Sequence, residues 1–417
     1  MTSHVVIVGG GFGGLRTARL LARWATRPLS ITLIDRTPWH LLRPKLPQAI
    51  GGRVACAVRL PLAALPADTG VRVITGNVAA LDPGERRVVW EGGTLDADVV
   101  VLAVGGERGV PAGLADEPDA VLPVWDFDQA CGIRRRVAFL ADPRRRRRST
   151  DGRVIVIGGG FVGVEVAAEA EARLRRLVGA ADAPAVTLVE EASRILPRLS
   201  AWAGRVATRP LAALGVEVIT GVRVVRVSGG RVQLADGQVL EAGTVMWAGG
   251  EIRAPHVAVA AGLTDATGRI PVTPTLETLQ YPGVFALGDC AYRVDCGAEA
   301  CEPSAHRAER EAVTAAHNVL ARILGGVLRA SPPGQDVYAV CIGPGYGLLE
   351  VGALRLAGRG AVAVKELAMV RHLAGCGYAV LRDALSRVVI DALRPTTWDQ
   401  DPLPDGVVGC TAVVGRG

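Results

Sequence analysis

Apolar residues along this chain gather in short unbroken runs, each closed by glycines and followed by a stretch with helical spacing. Val5-Val6-Ile7-Val8 leads into Gly9-Gly10-Gly11-Phe12-Gly13-Gly14, and Ile31-Thr32-Leu33-Ile34 ends on Asp35. Val154-Ile155-Val156-Ile157 leads into Gly158-Gly159-Gly160-Phe161-Val162-Gly163, and Val186-Thr187-Leu188-Val189 ends on Glu190. Continuous apolar runs of this length, bounded by glycine, predict strands buried on both faces in a parallel sheet. Two later runs, from Val99 to Gly106 and from Thr244 to Gly250, close each half in the same way. The chain therefore reads as one strand–helix–strand plan written twice.

A lone G-x-G-x-x-G is weak evidence, but here each copy follows a strand, opens a helix and precedes a second strand ending in an acid. Gly9 and Gly158 allow the tight turn. Gly11 and Gly160 let backbone approach a pyrophosphate, and Gly14 and Gly163 permit close helix–strand packing. The helix N-termini then hold the phosphate charge. Asp35 and Glu190 are placed to bond ribose hydroxyls. An acid repels a 2′-phosphate, so the second site is expected to prefer NADH over NADPH. Two nucleotide sites in one chain imply electrons passing between two cofactors.

A third landmark is Gly283-Val284-Phe285-Ala286-Leu287-Gly288-Asp289, followed by a helical stretch from Ala305 to Leu324. Asp289, at a strand's carboxyl end, is placed to bond a flavin's ribityl hydroxyls; the plain alternative is an ordinary helix-capping Asp. The landmark implies that the chain returns to its first domain after visiting a second. The expected fold class is α/β. It has two Rossmann-like three-layer domains, the second inserted in the first, and a smaller C-terminal α+β region. The expected boundaries are 1–108 with 255–330, then 109–254, then 331–417. Ser331-Pro332-Pro333-Gly334 signals the last linker. The apolar segment Ala361 to Leu393 reads as a core or dimer element, with an interfacial helix on lipid as the alternative.

The composition narrows the class. With 417 residues, 49% hydrophobic and 21% charged, the chain suits a folded protein of about two or three domains. Its net charge is +6, carried almost wholly by arginine; Lys45 and Lys365 are the lysines. No nucleic-acid motif accompanies that charge. The run Arg144 to Arg148 reads as a solvated linker, with membrane attraction as the alternative. Met1 lies too close to the first strand for a secretory signal, and no run reaches the roughly 20 apolar residues of a membrane span. The expected location is cytoplasmic, with a peripheral position at the inner face of the membrane also open. Eight cysteines lack a C-x-x-C pair, and no metal site is expected.

These residues resemble the two-dinucleotide-binding-domain flavoproteins, most closely type II NADH dehydrogenases, over nearly the first 330 positions. His40 to Gly51 looks like that family's segment beneath the flavin ring. Gly160-Phe161-Val162-Gly163-Val164-Glu165, Glu190 with Arg194-Ile195-Leu196-Pro197, and Leu287-Gly288-Asp289-Cys290-Ala291 match further motifs. The resemblance implies tightly bound, non-covalent FAD in the first domain and NADH as substrate in the second, giving hydride to flavin N5. It assigns FAD to Gly9, Gly11, Gly14, Asp35, Arg36, Gly105, Asp289 and Ala305. NADH falls to Gly158, Gly160, Gly163, Glu190 and Gly249, with Glu165 positioning substrate. A helix N-terminus just after Pro303-Ser304 is expected to stabilise negative charge at flavin N1–C2=O.

Two departures carry weight. Trp39 to Arg59 holds only Cys56, so the redox cysteine pair of the disulfide reductases is missing and electrons must leave the flavin directly. Where type II NADH dehydrogenases carry two glutamines lining a quinone pocket, this chain has His306 and Arg310, one turn apart. His306 is a candidate to hold a quinone oxygen or pass a proton, and Arg310 to bind an acidic group. The bland alternative leaves them solvated or pairs them with Glu309 and Glu302. The leading expectation is a flavoenzyme that takes hydride from NADH and reduces a quinone or quinone-like acceptor, with peripheral membrane contact or a homodimer as further partners. The alternatives are a soluble tailoring oxidoreductase acting on a polar small molecule, a sulfide:quinone oxidoreductase using Cys131, Cys296, Cys301 or Cys341, and a flavin-binding protein with a vestigial nicotinamide site.

Overall fold

The structure is a computed structural model, and it describes residues 2–52, 58–65, 70–142, 153–297, 301–334 and 337–378. The arginine run 144–148, Cys56, Cys410 and the chain beyond 378 lie outside the described residues.

Two five-stranded parallel sheets dominate, and they share one plan. In the first, Ser3–Val8 lies between Val99–Leu102 and Leu29–Asp35, with Val71–Thr75 and Val284–Ala286 at the edges. In the second, Arg153–Ile157 lies between Thr244–Trp247 and Ala185–Glu190, with Val216–Thr220 and Leu122–Pro123 outside. Every glycine fingerprint thus follows the central strand of its sheet. Ligands of such open sheets bind in the crevice beyond the carboxyl ends of the strands, where strand order reverses.

The edge strand Val284–Ala286 joins the first sheet only after all strands of the second have been laid down. The second α/β unit is therefore inserted in the first. Each sheet gathers its own core. Val5, Val6, Ile7, Leu15, Leu33, Val100, Phe285 and Ala312 are buried around the first, and Val154, Val156, Ala167, Leu188 and Leu211 around the second. The helix Phe127–Ala141 starts where a reciprocal cap is encoded: Gln129 N–H donates to Asp126 Oδ1 at 2.8 Å, and Asp126 N–H donates to Gln129 Oε1 at 3.2 Å.

The C-terminal region is a three-stranded antiparallel sheet, Val337–Cys341, Gly347–Val351 and Leu354–Ala357, covered by the helix Arg359–Gly375. Within the described part of the apolar segment that begins at Ala361, Val362, Met369, Val370 and Leu373 are buried. No helix among the described residues is long and apolar enough to cross a membrane.

Candidate functional site

The two glycine loops have matching geometry, position by position. Gly9 and Gly158 hold φ of +106° and +103°, and a Cβ on either would strike the backbone just beyond the closing strand of its sheet, at Ala103 and Gly249, within 3 Å. A Cβ on Gly14 would sit 1.9 Å from the Gly9 carbonyl oxygen, and on Gly163 it would sit 1.7 Å from that of Gly158. Gly11 and Gly160 differ from these: a Cβ there meets nothing within 4 Å. That open side faces the cavity. The helices Phe12–Trp24 and Phe161–Val178 both begin without a side-chain cap, so their first amide groups are left to a ligand.

The acids close onto these loops. Asp35 accepts from the Gly10 N–H at 2.7 Å and from the Thr37 N–H at 2.8 Å. Glu190 accepts from the Gly159 N–H at 2.5 Å and from the Ala192 N–H at 2.7 Å. Each carboxylate is thereby fixed at the end of its strand beside the phosphate turn. Arg36 pairs with Glu107 at 3.2 Å across the mouth of the first loop. Gly105 holds φ +69°, and the neighbouring Arg43 sets its guanidinium 4.5 Å above the Trp125 ring.

Asp289 sits in a short turn, Gly288–Cys290, whose backbone is gripped from the following helix. Arg307, 3% exposed, donates to the carbonyls of Cys301 at 2.5 Å, Gly288 at 2.5 Å and Ala291 at 2.7 Å. It also pairs with Glu311 at 3.0 Å, and Glu311 accepts from the Gly288 N–H at 2.8 Å. This Arg–Glu clamp escapes a sequence reading, since an i,i+4 pair is usually a solvated one. The helix itself starts at Ala305, with Ser304 accepting from the Arg307 N–H at 3.1 Å.

Both loops line one continuous cavity of about 910 Å³ between the domains, at the large end of small-molecule sites. Asp35, Arg36, Gly105, Asp289, Ala305 and His306 reach it, as do Glu165, Glu190 and Gly249. So do Leu41, Arg43 and Leu46 of the segment expected beneath a flavin. Glu165 is not the solvated first-turn acid that its position also allowed. It is 6% exposed, accepts from the Cys341 N–H at 2.7 Å and forms an ion pair with Lys365, which also lines the cavity. Lys45 pairs with Glu366 at 2.5 Å, again in buried surroundings. Both lysines of an arginine-rich chain are therefore buried ion-pair partners, Lys365 at the cavity wall and Lys45 behind it. That bias in usage was the one available signal for them.

The structure corrects the pairing of His306 with Arg310. His306 lines the cavity, but Arg310 turns away and lays its guanidinium against Gly334. Four residues advance a helix by more than one turn, and here the cavity takes the edge carrying His306 and Glu309. Of the two acids in the bland alternative, Glu302 is engaged by Arg198 at 2.7 Å and Glu309 by His372 at 2.5 Å. None of the six described cysteines lines the cavity, including Cys131, Cys296, Cys301 and Cys341. No cluster able to hold a metal ion occurs among the described residues.

Comparison with known proteins agrees with this geometry. The family model described as pyridine nucleotide-disulphide oxidoreductase matches residues 3–318. The NADH dehydrogenase-like protein of Mycobacterium tuberculosis is 32% identical over 302 residues, covering 69% of this chain and 73% of that protein. The type II NADH:quinone oxidoreductase Ndh of the same organism is 32% identical over 314 residues, covering 69% and 67%. Among solved structures, NDH2 of Plasmodium falciparum in complex with NADH shares the fold, with a TM-score of 0.74 at 14% identity over 94% of this chain and 98% of that one.

Proposed function

The chain belongs to the pyridine nucleotide-disulphide oxidoreductase family, and from that premise we propose that it is an FAD-dependent oxidoreductase that oxidises NADH and passes the electrons to a quinone. The observation that carries this reading is the single cavity onto which two equivalent phosphate-binding loops open. The residues suit both nucleotides. Gly11 and Gly160 leave room for a pyrophosphate against uncapped helix ends, and Asp35 and Glu190 line the cavity at the carboxyl ends of their strands, suited to ribose hydroxyls. When bound, FAD supplies the two-electron relay between nicotinamide and acceptor.

The protein's own part is to bind, orient and exclude water. The first loop, Asp35 and the Gly288-Asp289 turn hold the resident dinucleotide, and the second loop with Glu190 holds NADH. The N-terminus of the helix Ala305–Leu324 puts positive potential at the cavity wall. Glu165, fixed by Lys365 and the Cys341 amide, positions substrate. The acceptor enters where Ala305, His306 and Glu309 face Lys365 and Met369 across the cavity. A wall to which no described cysteine contributes fits direct transfer to a quinone better than sulfide oxidation through a thiol. A lipid-soluble acceptor calls for peripheral membrane contact, which we place at the exposed Leu354, Val364 and Leu367 of the C-terminal region.

The test is kinetic. Purified protein is expected to be yellow, to bleach on anaerobic addition of NADH, and to recover its colour with a water-soluble quinone faster than with a panel of phenolic acids. Protein that takes up no flavin, or that a phenolic acid reoxidises faster than the quinone, would overturn the reading.

A further inference from the structure

Two buried histidines, neither of them used so far, lie in a row behind the cavity wall. Glu309 of the helix Ala305–Leu324 faces the cavity with its side chain 18% exposed. Its Oε1 lies 2.5 Å from Nδ1 of His372, in the last turn of the helix Arg359–Gly375. His372 Nε2 lies 2.9 Å from His40 Nε2, and His40 Nδ1 lies 2.9 Å from the Gly10 carbonyl oxygen. Phe12 stacks on the His372 ring at 4.2 Å and sheathes the row. His372 is 1% exposed and His40 is fully buried.

Hydrogen-bond accounting fixes the direction of this chain. A carbonyl oxygen only accepts, so His40 carries its proton on Nδ1 and turns a bare Nε2 toward His372. His372 must then donate from Nε2. Its Nδ1 and the Glu309 carboxylate are left sharing one proton, either as imidazolium with carboxylate or as imidazole with carboxylic acid. A neutral His40 agrees with its surroundings, since burial, and then the neighbouring His372, push it down to about 3. Burial alone would raise Glu309, but the bond and charge of His372, with Arg371 and Arg16, hold it below the usual carboxylate range.

We infer that the Glu309–His372 pair, held in register by His40, is the proton donor to the acceptor. This inference rests on the functional reading above. Quinone reduction by NADH needs one proton beyond the hydride equivalent: NADH, quinone and H⁺ give NAD⁺ and quinol. The electron pair and one hydrogen come from NADH. An O–H bond forms at the acceptor oxygen as the shared N–H or O–H bond of the pair breaks, and solvent reprotonates Glu309 through the cavity. Other titratable and charged groups face the pair from each packed element. Arg16 comes from the first fingerprint helix, Arg371 from the helix of His372, and Cys376 and Tyr378 from just beyond it, with Arg19 beside Cys376. Burial pushes the Cys376 thiol up to about 12 and raises the Tyr378 phenol, so neither competes as the acid.

The experiment compares a quinone with ferricyanide, which accepts electrons without a proton, in wild-type protein and in Glu309→Gln. General-acid catalysis is worth about 10²–10⁴-fold, so the quinone-to-ferricyanide turnover ratio is expected to fall at least about tenfold. The residual quinone rate should then decline as pH rises. A second readout needs no turnover. The chain has six histidines, so ¹⁵N-histidine NMR resolves each ring, and the His372 Nδ1 signal, from the atom that shares a proton with Glu309, should shift at fixed pH in Glu309→Gln. An unchanged turnover ratio, or a His372 Nδ1 signal that ignores residue 309, overturns the inference. Wild-type protein inert toward NADH with both acceptors would overturn the functional reading and the donor role with it.

Discussion

A methyl group is the smallest probe of a phosphate-binding loop. Gly11 and Gly14 stand in one turn, yet a Cβ meets nothing at the first and the Gly9 oxygen at 1.9 Å at the second. Gly11→Ala should therefore change folding stability by under about 0.5 kcal/mol while excluding the pyrophosphate, so that melting stays normal and flavin content collapses. Gly14→Ala should cost about 1–3 kcal/mol and lower the melting temperature before any ligand is considered. Equal effects on flavin and on melting in both variants would contradict the assigned roles. Glu190→Ala should raise the NADH requirement and cut the preference over NADPH about tenfold, about 1.4 kcal/mol; steady-state kinetics with both nucleotides decides. The geometry of these loops was legible in the sequence because it depends on local backbone, where spacing alone sets the turn.

At the scale of elements, the sequence predicted the helix from Ala305 to Leu324, and the structure has it at those bounds. Its phase was harder to read. His306 faces the cavity while Arg310 does not, because the cavity takes a narrow edge of the helix and Glu309 continues it. The opposite edge carries Arg307 and Glu311, which look like a surface pair and are a buried clamp on the Asp289 turn. Arg307→Met leaves three carbonyls without their donor and Glu311 without its charge partner. Breaking one side of a buried pair costs about 3–5 kcal/mol, so the variant should melt early and release flavin during gel filtration. A melting curve matching wild type would show that the turn holds itself. Such partners, joined across a buried face, have no signature in spacing, since burial is decided by what the rest of the chain packs on top.

The whole molecule is held at its centre by contacts that reach from the C-terminal region to both nucleotide domains. Lys365 meets Glu165 of the inserted domain, Glu366 meets Lys45 of the first at 2.5 Å, and Glu350 accepts from the Ser200 hydroxyl at 2.5 Å. Residues up to 321 apart in sequence meet here, which is why two neighbouring residues, Lys365 and Glu366, revealed nothing until the domains were assembled. The two ion pairs act in opposite pH ranges. Burial alone would raise the Glu366 carboxyl, but Lys45 and Gln48 hold it below its ordinary value. Its contribution to stability is present above the unfolded carboxylate range near pH 4.3 and is lost as pH falls through the folded value. Burial alone would lower the Lys365 ammonium, but Cys341 and Glu165 raise it above its ordinary value. That stability is complete below the unfolded value near pH 10.4 and is lost only as pH rises through the folded one. Chemical denaturation from pH 3 to 6 should thus show an acid loss that Glu366→Gln flattens and Lys365→Met leaves in place. Lys365→Met should lose about 3–5 kcal/mol at neutral pH because Glu165 stays buried without its cation, and the double variant Lys365→Met with Glu165→Gln should regain a measurable part of that loss. If the two single substitutions instead add without coupling, the central contact between the C-terminal region and the inserted domain is not an ion pair in solution.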